Sequence, residues 1–301
     1  MSVVIVGARK DPQAKRVHTE LRKLGEGVDW LDAPAFPQTT RIALDGATLR
    51  IGRRSIDRPK SVYLRSLATH PSGASDRELK ARPRGVIAQA DENAAMLESL
   101  LKGWEQQGVR LVNSLEANAQ HSRKPYQLEL LGGAGLPLPE WVATNDPAAA
   151  RNFVRRVGRA VYKPLAGGAT VREVTKDDLS GDRLSALALA PVLFQALVEG
   201  VSVRAFVVGR RVVGAAEIQS SELDYRRREE AVVATRLSAA EGRAALAAAQ
   251  VCGMAFTGVD LIRSAGDFVI LECNPSPMFA VFEQKTGLDI AGPLARLLRR
   301  A

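Results

Sequence analysis

The sequence predicts an α/β fold that turns to α+β in its C-terminal half. Two observations carry this. The chain opens with SVVIVGA, KDPQAKRVHTELRKLG and VDWLD: an apolar run, a charged stretch of helical character and a second apolar run. That order is a βαβ unit, in which a helix bridges two parallel strands. Beyond residue 200 the apolar runs are joined by short glycine turns instead. Examples are VSVRAFVVGRRVVGAAEIQS around Gly209 and FTGVDLIRSAGDFVILECNPSP with its Ser-Ala-Gly-Asp turn. Turns this short join antiparallel neighbours.

The remaining elements follow in order. RIALDGATLRIG alternates on both sides of Asp45-Gly46, the strongest short hairpin signal. KSVYLRSL reads as a strand, NAAMLESLLKGWEQQG as an amphipathic helix ended by Gly108, and VRLVNS as a strand. A first domain therefore spans residues 1–120. HSRKPYQLELLGGAGLPLPEWVAT opens a second, 121–198. Its helix begins near Lys124-Pro125, because proline suits a first helical turn, and ends at Gly132-Gly133. ARNFVRRVGR is a basic helix, RAVYKPLAGGATVREV is strand, glycine-containing loop and strand, and PVLFQALVEG is another strand. The third domain, 199–301, holds the hairpin around Gly209, the Ala-rich helix LSAAEGRAALAAAQVCG, the acidic hairpin and a closing helix in GLDIAGPLARLLRR.

Composition narrows the function classes. With 46% hydrophobic and 25% charged residues, the 301-residue chain is globular rather than disordered. MSVVIVGARK has its charges on the wrong side for a signal peptide, and no apolar run approaches the roughly 20 residues of a membrane span. A cytoplasmic location is expected, with no membrane partner. Cys252 and Cys273, the only cysteines, are too few for a disulfide scaffold or a cysteine zinc site. Gly7 lacks the glycine triplet of a dinucleotide fingerprint. The net charge of +9 serves solubility or attracts an anionic ligand, an acidic peptide or nucleic acid. Nucleic acid ranks last, since zinc-finger, aromatic-basic and long basic-tail motifs are missing.

Residues 256–277 raise the sharpest question, because each arm of an apolar hairpin carries an acid, Asp260 and Glu272. Two registers compete. A two-residue turn at Ala265-Gly266 pairs Ser264 with Asp267, sets Asp260 against Leu271 and turns Glu272 to the other side. A three-residue turn pairs Ser264 with Phe268 and sets Asp260 directly opposite Glu272, with Asn274 on the same side. Opposed like charges destabilise a sheet unless something cationic offsets them. Three hard oxygen donors suit Mg2+, which shares its coordination with substrate phosphates. The competing reading is two solvent-facing acids on an edge hairpin.

With Asp260, Glu272 and Asn274 in ECNPSP, the chain resembles the ATP-grasp ligases. It is most similar to the RimK-type branch of ribosomal-protein-S6-modifying enzymes, and it is also similar to the graspetide, or microviridin-type, peptide ligases. The resemblance implies an ATP-grasp fold: an N-terminal parallel-sheet domain, a central lid domain and a C-terminal domain with an antiparallel sheet. It implies ATP and Mg2+, or Mn2+ in its place, with Asp260, Glu272 and Asn274 as the metal ligands. Lys163 corresponds to the lysine on the nucleotide phosphates, with Gly167 and Gly168 in the loop that closes over them. Gln195, Ala196, Leu197 and Val198 match the hinge whose backbone binds adenine. Glu199 is a candidate for the ribose hydroxyls, and Ser202 stands where the family often has Asp. Lys124 matches an earlier basic position of the nucleotide site. Arg204 and Arg226 match arginines that face the transferred phosphate and the acyl phosphate. Asp224-Tyr225-Arg226 resembles a graspetide-ligase motif, whereas Arg227 and Arg228 replace the Ser and Asn of the RimK pattern.

The activity implied is carboxylate–amine or carboxylate–hydroxyl ligation through an acyl phosphate, on an acidic peptide or protein: addition of glutamate, as in the RimK-type enzymes, or side-chain crosslinking, as in the graspetide ligases. Relatives of this kind form homo-oligomers, dimers or tetramers. Two alternatives remain: a small-molecule amino-acid ligase, or a nucleotide-binding regulatory module without catalysis.

Overall fold

The computed structural model describes residues 2–36, 41–46, 48–51, 54–67, 76–166, 171–180, 182–219, 231–264 and 266–300. The chain divides into two compact units. One comprises Met1–Glu116, Met278–Ala280 and Asp289–Ala301, and the other Ala117–Pro277 with Val281–Leu288.

The first unit begins with β1 (Val3–Val6), α1 (Pro12–Lys23) and β2 (Val28–Leu31). Helix α1 starts where Asp11 accepts the Ala14 N–H at 2.8 Å and Pro12 fills the first turn. The hairpin at Asp45-Gly46 forms as its sequence directs. β3 (Ile42–Asp45) pairs antiparallel with β4 (Thr48–Ile51), and Gly46 adopts a φ of 60° that a side chain would resist. β5 (Arg54–Ile56) extends this small sheet. β6 (Ser61–Leu64), α2 (Asp76–Ala81), α3 (Pro83–Gln106) and β7 (Arg110–Val112) follow. The expected parallel sheet is present with the order β2-β1-β6-β7. Helix α3 starts ten residues before the amphipathic stretch at Asn93. Its early turns are largely exposed, so they show little apolar periodicity, and Pro83 supplies the start. Leu97, Leu100, Leu101 and Trp104 on its second half join Val4, Val6, Leu31 and Val62 in one core.

The second unit carries two antiparallel sheets. α4 (Leu115–Ala119) lies at its start and α5 (Lys124–Gly133) follows, begun at Lys124-Pro125 as expected. β8 (Trp141–Thr144), α6 (Pro147–Val157), β9 (Ala160–Pro164), β10 (Arg172–Glu173), α7 (Lys176–Ser180) and β11 (Val192–Ala196) build a sheet of order β10-β9-β11-β8. Strand β8 lies in WVAT, which the sequence reading leaves unassigned. Phe153 and Val154 of α6 pack against Ala160 and Phe194. The larger sheet has the order β14-β13-β12-β15-β16. Its strands are β12 (Val201–Val208), β13 (Arg211–Gln219), β14 (Ala231–Ala234), β15 (Phe256–Ser264) and β16 (Asp267–Asn274). α8 (Ala239–Val251) covers it with Ala244, Ala245, Ala248 and Ala249, packed with Val203, Val207, Val259, Leu261 and both cysteines. A capping box of Ser238 and Glu241 starts that helix.

α9 (Ala280–Thr286) was not anticipated, and α10 (Ala291–Arg299) is the closing helix. Within the first unit, Leu294 and Leu298 of α10 are fully buried and the Ser61 hydroxyl donates to the Leu298 carbonyl at 2.8 Å. Burial on this scale is worth roughly 2 kcal/mol per leucine. Among the described residues no helix is long and apolar enough to cross a membrane.

Candidate active site

The acidic ribbon resolves the register question in a way neither turn alone provides. Ser264 pairs with Asp267, so the turn is the tight one. Yet Asp260 stands opposite Glu272, and Asn274 opposite Gly258. A bulge reconciles the two: Leu261 pairs with Ile270 while Asp260 pairs with Glu272, which leaves Leu271 as the extra residue. A β-ribbon can absorb one residue in mid-strand as well as in its turn, and here it does so next to the acids.

Four side chains converge on these acids from the elements of the same unit, and a fifth, Phe282, backs one of them. Arg204, opposite Asp260 across β12 and β15, donates Nε and Nη2 to both Asp260 oxygens at 2.6 Å. The Asn274 amide donates to Asp260 Oδ2 at 2.9 Å. Lys124 Nζ, at the start of α5, donates to Glu272 Oε2 at 2.7 Å, and Lys163 Nζ of β9 lies 3.7 Å from the same oxygen. The Arg204 guanidinium sits over the Phe282 ring of α9, 5.7 Å from its centroid. Arg204 and Lys163 are only 6% and 8% exposed, so both cations are desolvated and their ion pairs are poorly screened.

The close approach has a steric condition. A Cβ on Gly258 would come within 2.9 Å of Pro277 and 3.3 Å of the Arg204 stem, so only glycine lets that arginine cross the ribbon undisturbed.

Electrostatics tie the cluster together. Desolvation pulls the Lys163 ammonium below its ordinary value, with Lys124 adding repulsion and Glu272 opposing both. Burial acts to raise Glu272, but Lys163, Lys124 and Arg204 outweigh it and hold the carboxyl well below the usual carboxylate range. Counting Lys124, Lys163 and Arg204 against Asp260 and Glu272 leaves one positive charge in excess.

The other expected residues lie on β11, on β12 and in the segment between them, or outside the described residues. Gln195 on β11 is two residues from Leu193, which pairs with Lys163, so both side chains lie on one face of their sheet. Its buried Nε2 has no hydrogen-bond partner among the described residues. The Ala196 and Leu197 N–H groups already donate to the Glu140 and Arg159 carbonyls. Val198 follows, and Glu199 pairs with Arg159 on the surface. Ser202 lies two residues before Arg204 on the same face of β12. Gly167, Gly168 and Arg226 lie outside the described residues, as do Asp224, Tyr225, Arg227 and Arg228. Cys273 is buried beside Cys252 in the core, pointing away from Glu272 and Asn274 as strand alternation requires.

Two participants escaped the sequence reading. Phe282 lies on the unanticipated α9. Gln127, one turn beyond Lys124, is 3% exposed and bonds the Cys273 backbone twice. The signal for the latter was a glutamine three residues after a candidate lysine on one helix, which is too common a pattern to single out.

A family model for the RimK-like ATP-grasp domain matches residues 124–298. The chain belongs to the RimK-like ATP-grasp family. It is an ATP-grasp ligase by that membership, and the family's fold is the one described above. A probable alpha-L-glutamate ligase of Vibrio vulnificus strain YJ016 is 30% identical over 214 residues, covering 67% of this chain and 71% of the relative. Another, from Shewanella loihica, matches to the same extent. Among solved structures, that of the ATP-grasp ligase PsnB complexed with a phosphomimetic variant of its minimal precursor, Mg and ADP superposes with a TM-score of 0.91. It is 36% identical and covers 100% of this chain and 98% of PsnB. The macrocyclase MdnC of Microcystis aeruginosa MRC, bound with the precursor peptide MdnA, shares the fold at 20% identity, with a TM-score of 0.82 and all of both chains covered.

Proposed function

We propose that this RimK-like ATP-grasp protein crosslinks an acidic peptide. It phosphorylates a side-chain carboxylate of the peptide with ATP and passes the acyl group to an amine or hydroxyl of the same peptide. One observation carries the reading: Asp260, Glu272 and Asn274 meet face to face on the ribbon, with Lys124, Lys163 and Arg204 around them. A chain-long likeness at 36% identity to PsnB, a ligase solved with its precursor peptide, against a two-thirds likeness to glutamate ligases at 30%, favours a precursor peptide as substrate, and the graspetide resemblance makes crosslinking the reaction on it.

The donor set fits Mg2+. Asp260 and Glu272 would supply carboxylate oxygens, and the Asn274 amide oxygen, the third position of the family resemblance, would supply the third donor. Two carboxylates and an amide are hard oxygen ligands, and they leave room for water and phosphate oxygens. Bound there, Mg2+ would neutralise charge on the nucleotide phosphates and help hold them for transfer.

The chain's own groups do the rest. Lys163 and Arg204 are buried cations set for the transferring phosphoryl group, and the positive excess is what an anionic nucleotide would balance. By the family resemblance Arg226 is assigned to the acyl phosphate, and Gly167 and Gly168 to the nucleotide phosphates. Val198 and the hinge carbonyls accept the base, Gln195 offers it an amide that now lacks a partner, and Glu199 and Ser202 border the ribose. The substrate carboxylate attacks the γ-phosphorus and ADP leaves. The amine or hydroxyl then attacks the acyl carbon, phosphate leaves with the C–O bonding pair, and the nucleophile's proton passes to solvent.

Intact mass spectrometry of an acidic peptide incubated with the protein and Mg-ATP tests this reading. A crosslinker removes the mass of one water per linkage and releases ADP and phosphate in equal amount. A peptide that instead gains a glutamyl residue when glutamate is supplied identifies a glutamate ligase and rejects the crosslinking assignment.

A further inference from the structure

The acids meet because of a bulge, and a bulge in an outermost strand needs something to hold it. Among the described residues β16 is at the edge of its sheet, so its outward N–H and C=O groups have no neighbouring strand there. Two contacts supply partners, one on each side of the extra residue Leu271. The Ile270 N–H donates to the Pro137 carbonyl at 2.8 Å. At Cys273, the N–H donates to Gln127 Oε1 at 2.8 Å and the carbonyl accepts from Gln127 Nε2 at 2.9 Å. A side-chain amide thus pairs with one residue as a neighbouring strand would. That residue sits between Glu272 and Asn274. The same helix, α5, sends Lys124 to Glu272 at 2.7 Å, so residues three apart on one helix face grip two successive residues of the ribbon.

We infer that Gln127 is a positioning residue that fixes the register of Glu272 and Asn274, and through them the affinity of the site for a divalent cation. The inference rests on the proposed role of the acids. Without the amide, the Cys273 N–H and carbonyl would be buried and unpaired, and the ribbon would relieve that by slipping or rotating around the bulge. A slip of one residue turns a side chain to the opposite face. Groups that orient metal ligands typically change affinity by about 10- to 100-fold when removed.

The test is the Mg2+ dependence of ADP binding by calorimetry in wild type, Gln127→Leu and Gln127→Glu, with hydrogen exchange across residues 270–274 on the nucleotide-free protein. Gln127→Leu keeps the volume and loses both bonds, whereas Gln127→Glu keeps the acceptor for the Cys273 N–H. The expected result is a Mg2+ requirement raised about 10-fold or more in Gln127→Leu and less in Gln127→Glu. ADP affinity without metal should stay within about twofold, and Cys273 exchange should be faster. If wild type shows the Mg2+ linkage and Gln127→Leu keeps it unchanged, the inference falls while the proposed function stands. It also falls if the variant loses metal-free and metal-assisted binding equally. If Gln127→Leu does not fold, an unchanged Mg2+ requirement in Gln127→Glu, together with unchanged Cys273 exchange, overturns it. Absence of Mg2+ linkage in wild type overturns the inference and the reading of the acids together.

Discussion

Strand β15 carries two charged clusters, and their difference separates structure from function. Toward its end, the Arg263 guanidinium binds Glu241 at 2.7 and 3.1 Å, Glu217 at 2.7 Å and the Arg236 carbonyl at 3.2 Å. Each acid there has a second task. Glu241 accepts the Ser238 N–H at 2.7 Å in the capping box of α8, and Glu217 accepts the Thr235 hydroxyl at 2.9 Å. The secondary structure therefore accounts for the cluster. At Asp260 the acids have no such work: they start no helix and close no turn, and Arg204, Lys124, Lys163 and Asn274 come from four different elements to meet them. One cluster has an excess of negative charge and serves a helix cap, while the other has an excess of positive charge and serves no cap or turn. Charges brought together at that desolvation cost, beyond what caps and turns call for, are what support the proposed ligand site.

The contrast can be broken by substitution, beginning with the largest effect. Asp260→Asn should lower turnover by about 10³-fold or more in steady-state assays of ADP release, since it removes one of the opposed carboxylates. Turnover near wild type would remove Asp260 from the chemistry. Lys163→Ala should weaken ADP binding by about tenfold in calorimetry, the loss of one desolvated phosphate contact. Unchanged affinity would take the lysine out of the site. Glu241→Ala should do the reverse of both. It should lower unfolding free energy by about 1–3 kcal/mol in denaturant titrations, through loss of the cap and of a buried partner, with turnover retained. A dead but stable Glu241→Ala would dissolve the distinction between the clusters.

The smallest effect is on acid stability. Glu272 and Glu241 are both held below their ordinary value of 4.5. Burial opposes the shift at Glu272, where the lysines prevail, and the Arg263 hydrogen bond leads it at Glu241. A carboxyl depressed in the folded state stabilises above its unfolded value, and that stability is lost as pH falls through the folded one. Denaturant titrations between about pH 6 and 3 should therefore show stability falling, with a shallower fall in Glu241→Gln than in wild type. An unaltered slope would show that this carboxyl is not linked to folding.

The residues proposed to hold the metal could be picked out because they are local. Asp260, Glu272 and Asn274 lie within one hairpin, and strand alternation alone restricts them to a few arrangements. The βαβ opening and the glycine-turn hairpins were legible for the same reason. What placed the acids opposite each other was not local. The bulge at Leu271 is flanked by contacts from Pro137 and Gln127 at the outer edge of β16, far upstream in the chain, and hairpin rules cannot anticipate such edge contacts. The pairing of Lys124 with Glu272 spans 148 residues. Phe282 lies on a short helix, Ala280–Thr286, whose sequence AVFEQKT is too brief to show periodicity.

The most direct test of the central claim, that the ribbon holds a divalent cation against nucleotide phosphates, is calorimetry of ADP with and without Mg2+. Wild type, Glu241→Gln and Glu272→Gln would be measured side by side. Mg2+ should strengthen ADP binding about tenfold or more in wild type and Glu241→Gln, and leave it unchanged in Glu272→Gln. A Mg2+ effect that survives intact in Glu272→Gln would contradict the account.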